Sequence, residues 1–221
     1  MNYFQFNNFD KKILLTPIVL SFVILSVFWN WYFSAVDGQW LVDNMLNAQI
    51  HADNLGKEES EILASMMSIG FLKFSTLLGA IGSLFLTLVM LSAYLTLLCR
   101  FCLPQSKELS FSSAVNITSL ASLASVSMHL LYAVYVWISP ENKVNLYEVD
   151  FLSINNLFLS LQTDNTWFAL SNTISMNTLL FIWCCGYLLQ HRTGMSTAKS
   201  LAVFAVPYAT IWLFMSVIAV L

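Results

Sequence analysis

Five stretches of this chain, 13–36, 74–99, 109–139, 165–190 and 200–221, contain no Asp, Glu, Lys or Arg. A helix needs about 20 mostly apolar residues to cross a hydrocarbon core about 30 Å thick, because it rises about 1.5 Å per residue. Each stretch meets that length. In lipid the backbone finds no water, so a helix is the conformation that pairs every N–H and C=O within one segment. Composition points the same way. Charged residues make up 10% and hydrophobic residues 58% of the chain, against about 25% charged in a soluble domain. Too little charge is available to coat a water-facing surface, and too much apolar surface is present for the chain to stay unfolded. A net charge of −3 argues against nucleic acid as a partner. Four cysteines are too few for a disulfide-built scaffold.

The expectation is an all-α polytopic membrane protein, one domain over 1–221, with spans at about 13–36, 74–99, 110–138, 166–190 and 200–221. The first span reads as uncleaved rather than as a signal peptide. Its apolar run exceeds a signal core and ends in the interface-type aromatics Trp29, Trp31, Tyr32 and Phe33. Tyr3, Phe4, Phe6 and Phe9 are expected on the inner interface. Basic residues set the orientation. With the N-terminus cytoplasmic, Lys11, Lys12, Arg100, Lys107, Arg192 and Lys199 lie inside, and only Lys57, Lys73 and Lys143 lie outside. Of the acids, only Asp10 and Glu108 fall inside. The C-terminus is then periplasmic, and the outer loops are 37–73 and 139–165. Apolar residues three and four apart in the first loop predict amphipathic helices divided near Gly56. The second loop is too short and polar to cross twice, so it caps the bundle or lies on the outer surface.

The third span is the most polar. Thr118, Ser122, Ser125 and His129 recur at spacings of four, three and four, which places them on one face. In the fourth span Ser171, Ser175 and Thr178 share a face. These two faces can form a helix–helix seam, where small hydroxyl residues permit close approach and hydrogen bonding. They can equally line a ligand or proton path, since an ionisable residue within a span is a functional-site hypothesis. Gly79 and Gly82, with Ser75 and Ser83, predict a close crossing in the second span. Pro17 and Pro207 remove backbone bonds from the first and last spans.

Catalytic and metal chemistry find little material. Cys99 and Cys102 form a C-x-x-C, but Cys184 and Cys185 are adjacent and no His stands at ligand spacing. Glu58, Glu59 and Glu61 suit a solvated helix start. His51 and His191 are isolated. No G-x-S-x-G, H-E-x-x-H or phosphate-binding glycine loop occurs. No cofactor, no metal and no enzymatic activity are expected.

Several segments carry a family resemblance. FLSINNLFLSL begins at Phe151, FIWCCG runs from Phe181 to Gly186, GMSTAKSL from Gly194 to Leu201, and Pro207 follows in the last span. In this order and spacing the chain resembles bacterial members of the Ypt-interacting protein (Yip) family of five-span membrane proteins. The motif positions are Trp183, Gly186, Ser196, Lys199 and Pro207. Ser200 stands where the family usually has Ala. Pro17, WYFSAVDGQW and EESEILASMM match more loosely, so the resemblance covers nearly the whole chain. The long cytoplasmic N-terminal region of eukaryotic members has no counterpart before the first span, so small-GTPase binding is not carried over. The resemblance implies a bacterial inner membrane and, for some members, association with ABC exporters of the macrolide-exporter type. The expected function is a non-enzymatic scaffold or accessory subunit. Its expected partners are membrane lipids, other integral membrane proteins or further copies of itself. The competing expectation is a small transporter or lipid-translocating protein that uses the polar faces of the third and fourth spans.

Overall fold

The charge-free runs are helical. A computed structural model describes residues 11–53, 55–101 and 109–220, and over these residues the chain is all-helical with no named strand. Tyr3, Phe4, Phe6, Phe9, Cys102, Lys107 and Glu108 lie outside the described residues. In chain order the helices are α1 (Lys11–Ala35), α2 (Gly38–Asp53), α3 (Lys57–Met66), α4 (Ile69–Phe101), α5 (Phe111–Val126), α6 (His129–Ile138), α7 (Phe168–Thr173), α8 (Met176–Thr193) and α9 (Thr197–Val220). Four helical stretches are long and apolar enough to cross a membrane: Leu15–Ala35, Ile69–Phe101, Phe111–Ile138 and Thr197–Val220. Large apolar side chains cover the outside of these helices. Phe74, Met90, Leu213 and Phe214 are each about two-thirds exposed. An apolar surface of that extent is compatible with a membrane protein.

A continuous helix over 166–190 is not what forms. Ser175 is extended at φ −129° and ψ 162°, and its hydroxyl accepts the Thr178 N–H at 3.3 Å, which starts α8. The backbone groups on either side bond to the second long loop. The Ile154 N–H donates to the Ile174 carbonyl at 2.9 Å, and the Met176 N–H donates to the Leu152 carbonyl at 3.2 Å. Thr173, Ile174 and Ser175 are weak helix formers, so the loop competes successfully for their backbone. α8 also ends in Gln190, His191, Arg192 and Thr193, which shortens its apolar run.

α5 is the hub. It packs against α1, α4 and α8, and α9 lies against α8. Its buried residues are small: Ala114, Thr118, Ser119, Ala121 and Ser122. Small side chains let three neighbours approach one helix. Apolar contacts concentrate toward the two ends. At the end bearing the long connections, Phe28, Tyr32, Phe33, Leu41, Tyr132 and Val136 enclose Val144 and Val149 of the second loop. At the opposite end, Leu95, Ile117, Phe181, Cys185, Leu189 and Phe204 pack together.

The second long loop is a cap on the bundle. The Tyr32 hydroxyl donates to the Val144 carbonyl, and the Tyr132 hydroxyl donates to Asp150 Oδ1, both at 2.7 Å. In the first loop, the Gly56 N–H donates to Glu59 Oε2 at 3.0 Å. Glu58 and Glu59 sit in the first turn of α3, where carboxylates oppose the helix dipole favourably.

The close crossing falls at a different glycine from the expected pair. A Cβ on Gly79 or Gly82 would meet nothing within 4 Å. A Cβ on Gly186 would lie 2.6 Å from Leu201 Cδ2 and 3.1 Å from Leu201 Cα. The contact that needs a missing side chain is therefore α8 on α9.

Candidate functional polar seam

The polar residues of α5 and α6 meet three different helices. Thr118 shares a 2.9 Å hydrogen bond with Ser92 of α4. Ser125 donates to Asn177 Oδ1 of α8. Ser122 is buried on the same face. The face predicted from spacing exists, but Thr118 is turned to α4 and not to α8. Ser92 is a single serine in an apolar helix, and no periodicity singles it out.

His129 stands where the long apolar stretch tightens. The Leu130 N–H donates to Ser127 at 3.1 Å, and the Met128 N–H donates to Ser125 at 3.0 Å. These are i to i+3 bonds, so the Val126 carbonyl loses its usual partner four residues on. His129 Nδ1 lies 3.0 Å from that carbonyl. A carbonyl only accepts, which assigns the donor role to Nδ1. Aromatic rings close around the imidazole: Phe28 at 4.8 Å, Tyr132 at 5.2 Å and Trp29 at 6.3 Å between centroids.

The second face divides. Ser171 is buried and donates to the Phe168 carbonyl of its own turn at 2.9 Å. Thr178 donates to the Thr173 carbonyl at 3.1 Å, across the break. Ser175 caps α8. The partner that α8 offers to α5 is Asn177. Asn177 was legible as a polar residue of this helix, but not as the one facing Ser125.

A second polar node lies at the loop end, and the spacing argument missed it. Asp150 is half-buried. Burial raises its carboxyl above the usual range, while the Tyr132 and Ser175 hydroxyls and the Leu152 N–H pull the other way. Asn155 and Asn156 hold the same loop. Asn155 Oδ1 accepts the Leu161 N–H at 2.9 Å, and its Nδ2 donates to the Leu161 carbonyl at 3.3 Å. Asn156 Nδ2 donates to the Tyr147 and Asp150 carbonyls at 2.8 and 2.9 Å. Paired asparagines in a short loop are the signal that pointed here.

The remaining motif residues have plain places. Trp183 is more than half exposed on α8. The Ser196 carbonyl accepts the Ser200 N–H at 3.0 Å as α9 begins. Lys199 is exposed, and Pro207 lies inside α9. Cys99 and Cys185 are buried and Cys184 is half-buried. Among the described residues, no three of His, Cys, Asp and Glu gather as a metal set.

Comparison with protein-family models, with curated proteins and with solved structures finds no match to the chain. What the fold and seam define is an all-helical protein with four helices long and apolar enough to cross a membrane. Its buried polar side chains lie between those helices.

Proposed function

We propose that the chain is a Yip-like, five-span protein of the bacterial inner membrane, with a cytoplasmic N-terminus and a periplasmic C-terminus. It acts as a non-enzymatic scaffold or accessory subunit that docks on other integral membrane proteins, an ABC-type exporter of the macrolide-exporter kind among them. The α7–α8 pair is the fourth span in this reading. The packing of α8 between α5 and α9 supports it.

The observation that carries the reading is how the polar side chains are used. Thr118, Ser125, Ser171, Ser175 and Thr178 make hydrogen bonds within the bundle, and His129 reaches the Val126 carbonyl. Polar groups that are already paired favour packing over conduction. Interhelical hydrogen bonds contribute about 0.6 kcal/mol each on average, enough to set register. The outward apolar faces of α4 and α9 are then the surfaces available to a membrane partner.

Affinity purification from native membranes in a mild detergent tests this. The expected result is a stoichiometric integral-membrane partner, an exporter subunit in particular. A chain that purifies alone and carries solute or lipid across reconstituted liposomes contradicts it.

A further inference from the structure

A cleft of about 840 Å³ opens at the loop end of the bundle, between α2 and the second long loop. Pockets of this size hold small organic ligands. One wall is a face of α2, where Asn44, Asn47 and His51 stand at i, i+3 and i+7. The other wall carries Glu148, Gln162 and Asp164. Asn47, His51, Gln162 and Asp164 are exposed and Asn44 is half-buried. The side-chain amides of Asn44, Asn47 and Gln162 have no hydrogen-bond partner among the described residues, in contrast to the paired Asn155 and Asn156 that brace the loop behind them. Phe151, and Tyr147 with Phe168 edge to face at 5.1 Å, add aromatic surface to the lining.

The lining selects a ligand class. No Lys or Arg lines the cleft and two carboxylates do, so an anion is repelled. A cationic amine presents donors only. It would satisfy the carboxylates and leave three amide NH₂ groups without acceptors. A neutral ligand that both donates and accepts matches all of these groups at once. A hydroxyl does both, and adjacent hydroxyls can pair with the carbonyl and NH₂ of one carboxamide. Aromatic surface suits the C–H face of a sugar ring. A peptide taken up by strand addition would need an exposed strand edge, and the described residues hold no named strand.

We propose that this cleft binds a neutral saccharide, through the α2 amides Asn44 and Asn47 on one side and Gln162 and Asp164 on the other. The sugar comes free in solution or as the headgroup of a glycolipid. This inference stands apart from the partner proposed above.

The test uses the full chain in phosphatidylcholine nanodiscs, prepared without glycoside detergents. In the first arm, calorimetry measures maltose and N-acetylglucosamine, with spermidine and glucose 6-phosphate as cationic and anionic comparators. In the second arm, native mass spectrometry measures retention of a glucosyl diacylglycerol from mixed nanodiscs. Asn44→Leu with Asn47→Leu, and separately Gln162→Ala, are measured beside the wild type. None of these amides braces the fold, so thermal unfolding is expected to be unchanged. Binding in the first arm assigns a free saccharide, and binding in the second arm alone assigns a headgroup. In either case the variants are expected to weaken it about tenfold or more. The proposal is overturned if neither arm binds, if spermidine binds and the sugars do not, or if both variants bind like the wild type.

Discussion

Gly186 offers the sharpest perturbation of the α8–α9 contact. An alanine there would place Cβ 2.6 Å from Leu201 Cδ2, 3.2 Å from Cγ and 3.1 Å from Cα. Carbon atoms normally rest about 3.5–4.0 Å apart. The Cδ2 methyl can swing away by changing rotamer. The Cα cannot, so the two helices must separate by a few tenths of an ångström along a seam that includes Phe181, Cys185 and Phe204. Overpacking of this kind costs about 1–3 kcal/mol. Replacing glycine inside a helix returns up to about 1 kcal/mol of propensity. Gly186→Ala is therefore expected to destabilise by about 0–2 kcal/mol, and Gly186→Val by more, because its branches meet the Leu201 backbone. In a Leu201→Ala background the Cδ2 and Cγ contacts vanish, so the same Gly186→Ala change should cost at least about 1 kcal/mol less. Reversible unfolding in mixed micelles, run as a double-mutant cycle, reads these differences. If Gly186→Val unfolds like the wild type, or the cycle shows no coupling to Leu201, the close crossing is refuted.

Three further outcomes follow from the polar groups. Asn155→Ala should cost about 1–3 kcal/mol, because it leaves the Leu161 N–H and carbonyl without their partner. Proteolysis within 153–164 should quicken with it. His129→Leu removes the donor to the Val126 carbonyl and should destabilise by about 1–3 kcal/mol, while association with a membrane partner persists in the folded fraction. Asp150 has a folded pKa above its unfolded value, so the folded state holds that proton more tightly. Its contribution is fully present below the unfolded pKa and is lost as pH rises through the folded one. Thermal stability should therefore gain an increment as pH falls from neutral towards about 4, the ordinary Asp range, and Asp150→Asn should remove that increment.

Charge-free length located α1, α4, α5–α6 and α9, because a bilayer's thickness is written into the number of residues between charges. The spacing of Thr118, Ser122, Ser125 and His129 located a buried face, because helical periodicity is local. What these residues touch was not legible. Thr118 meets Ser92, which lies in α4 and carries no pattern of its own. Small residues advertise close packing without saying which of them is used. Gly79 and Gly82 have open space beside them, and Gly186 has Leu201. The break before α8 depends on backbone bonds from Leu152 and Ile154, about 20 residues upstream, where a window on the fourth apolar stretch cannot see. Asp150 was counted as one more outer-loop acid. Its bond to Tyr132 appears only when the loop folds back onto α6.

The central claim is that the polar seam is packed and the protein works through its outer surface. Single cysteines at Ser122 and Ser125, in a chain with Cys99, Cys102, Cys184 and Cys185 replaced by serine or alanine, test it most directly. A membrane-impermeant maleimide is applied to each side of oriented vesicles, with exposed Ser160→Cys as the reference. The account predicts rapid labelling at position 160 and none at 122 or 125 from either side. Labelling of both seam positions at rates near that of position 160 would reveal a water-filled path and contradict it.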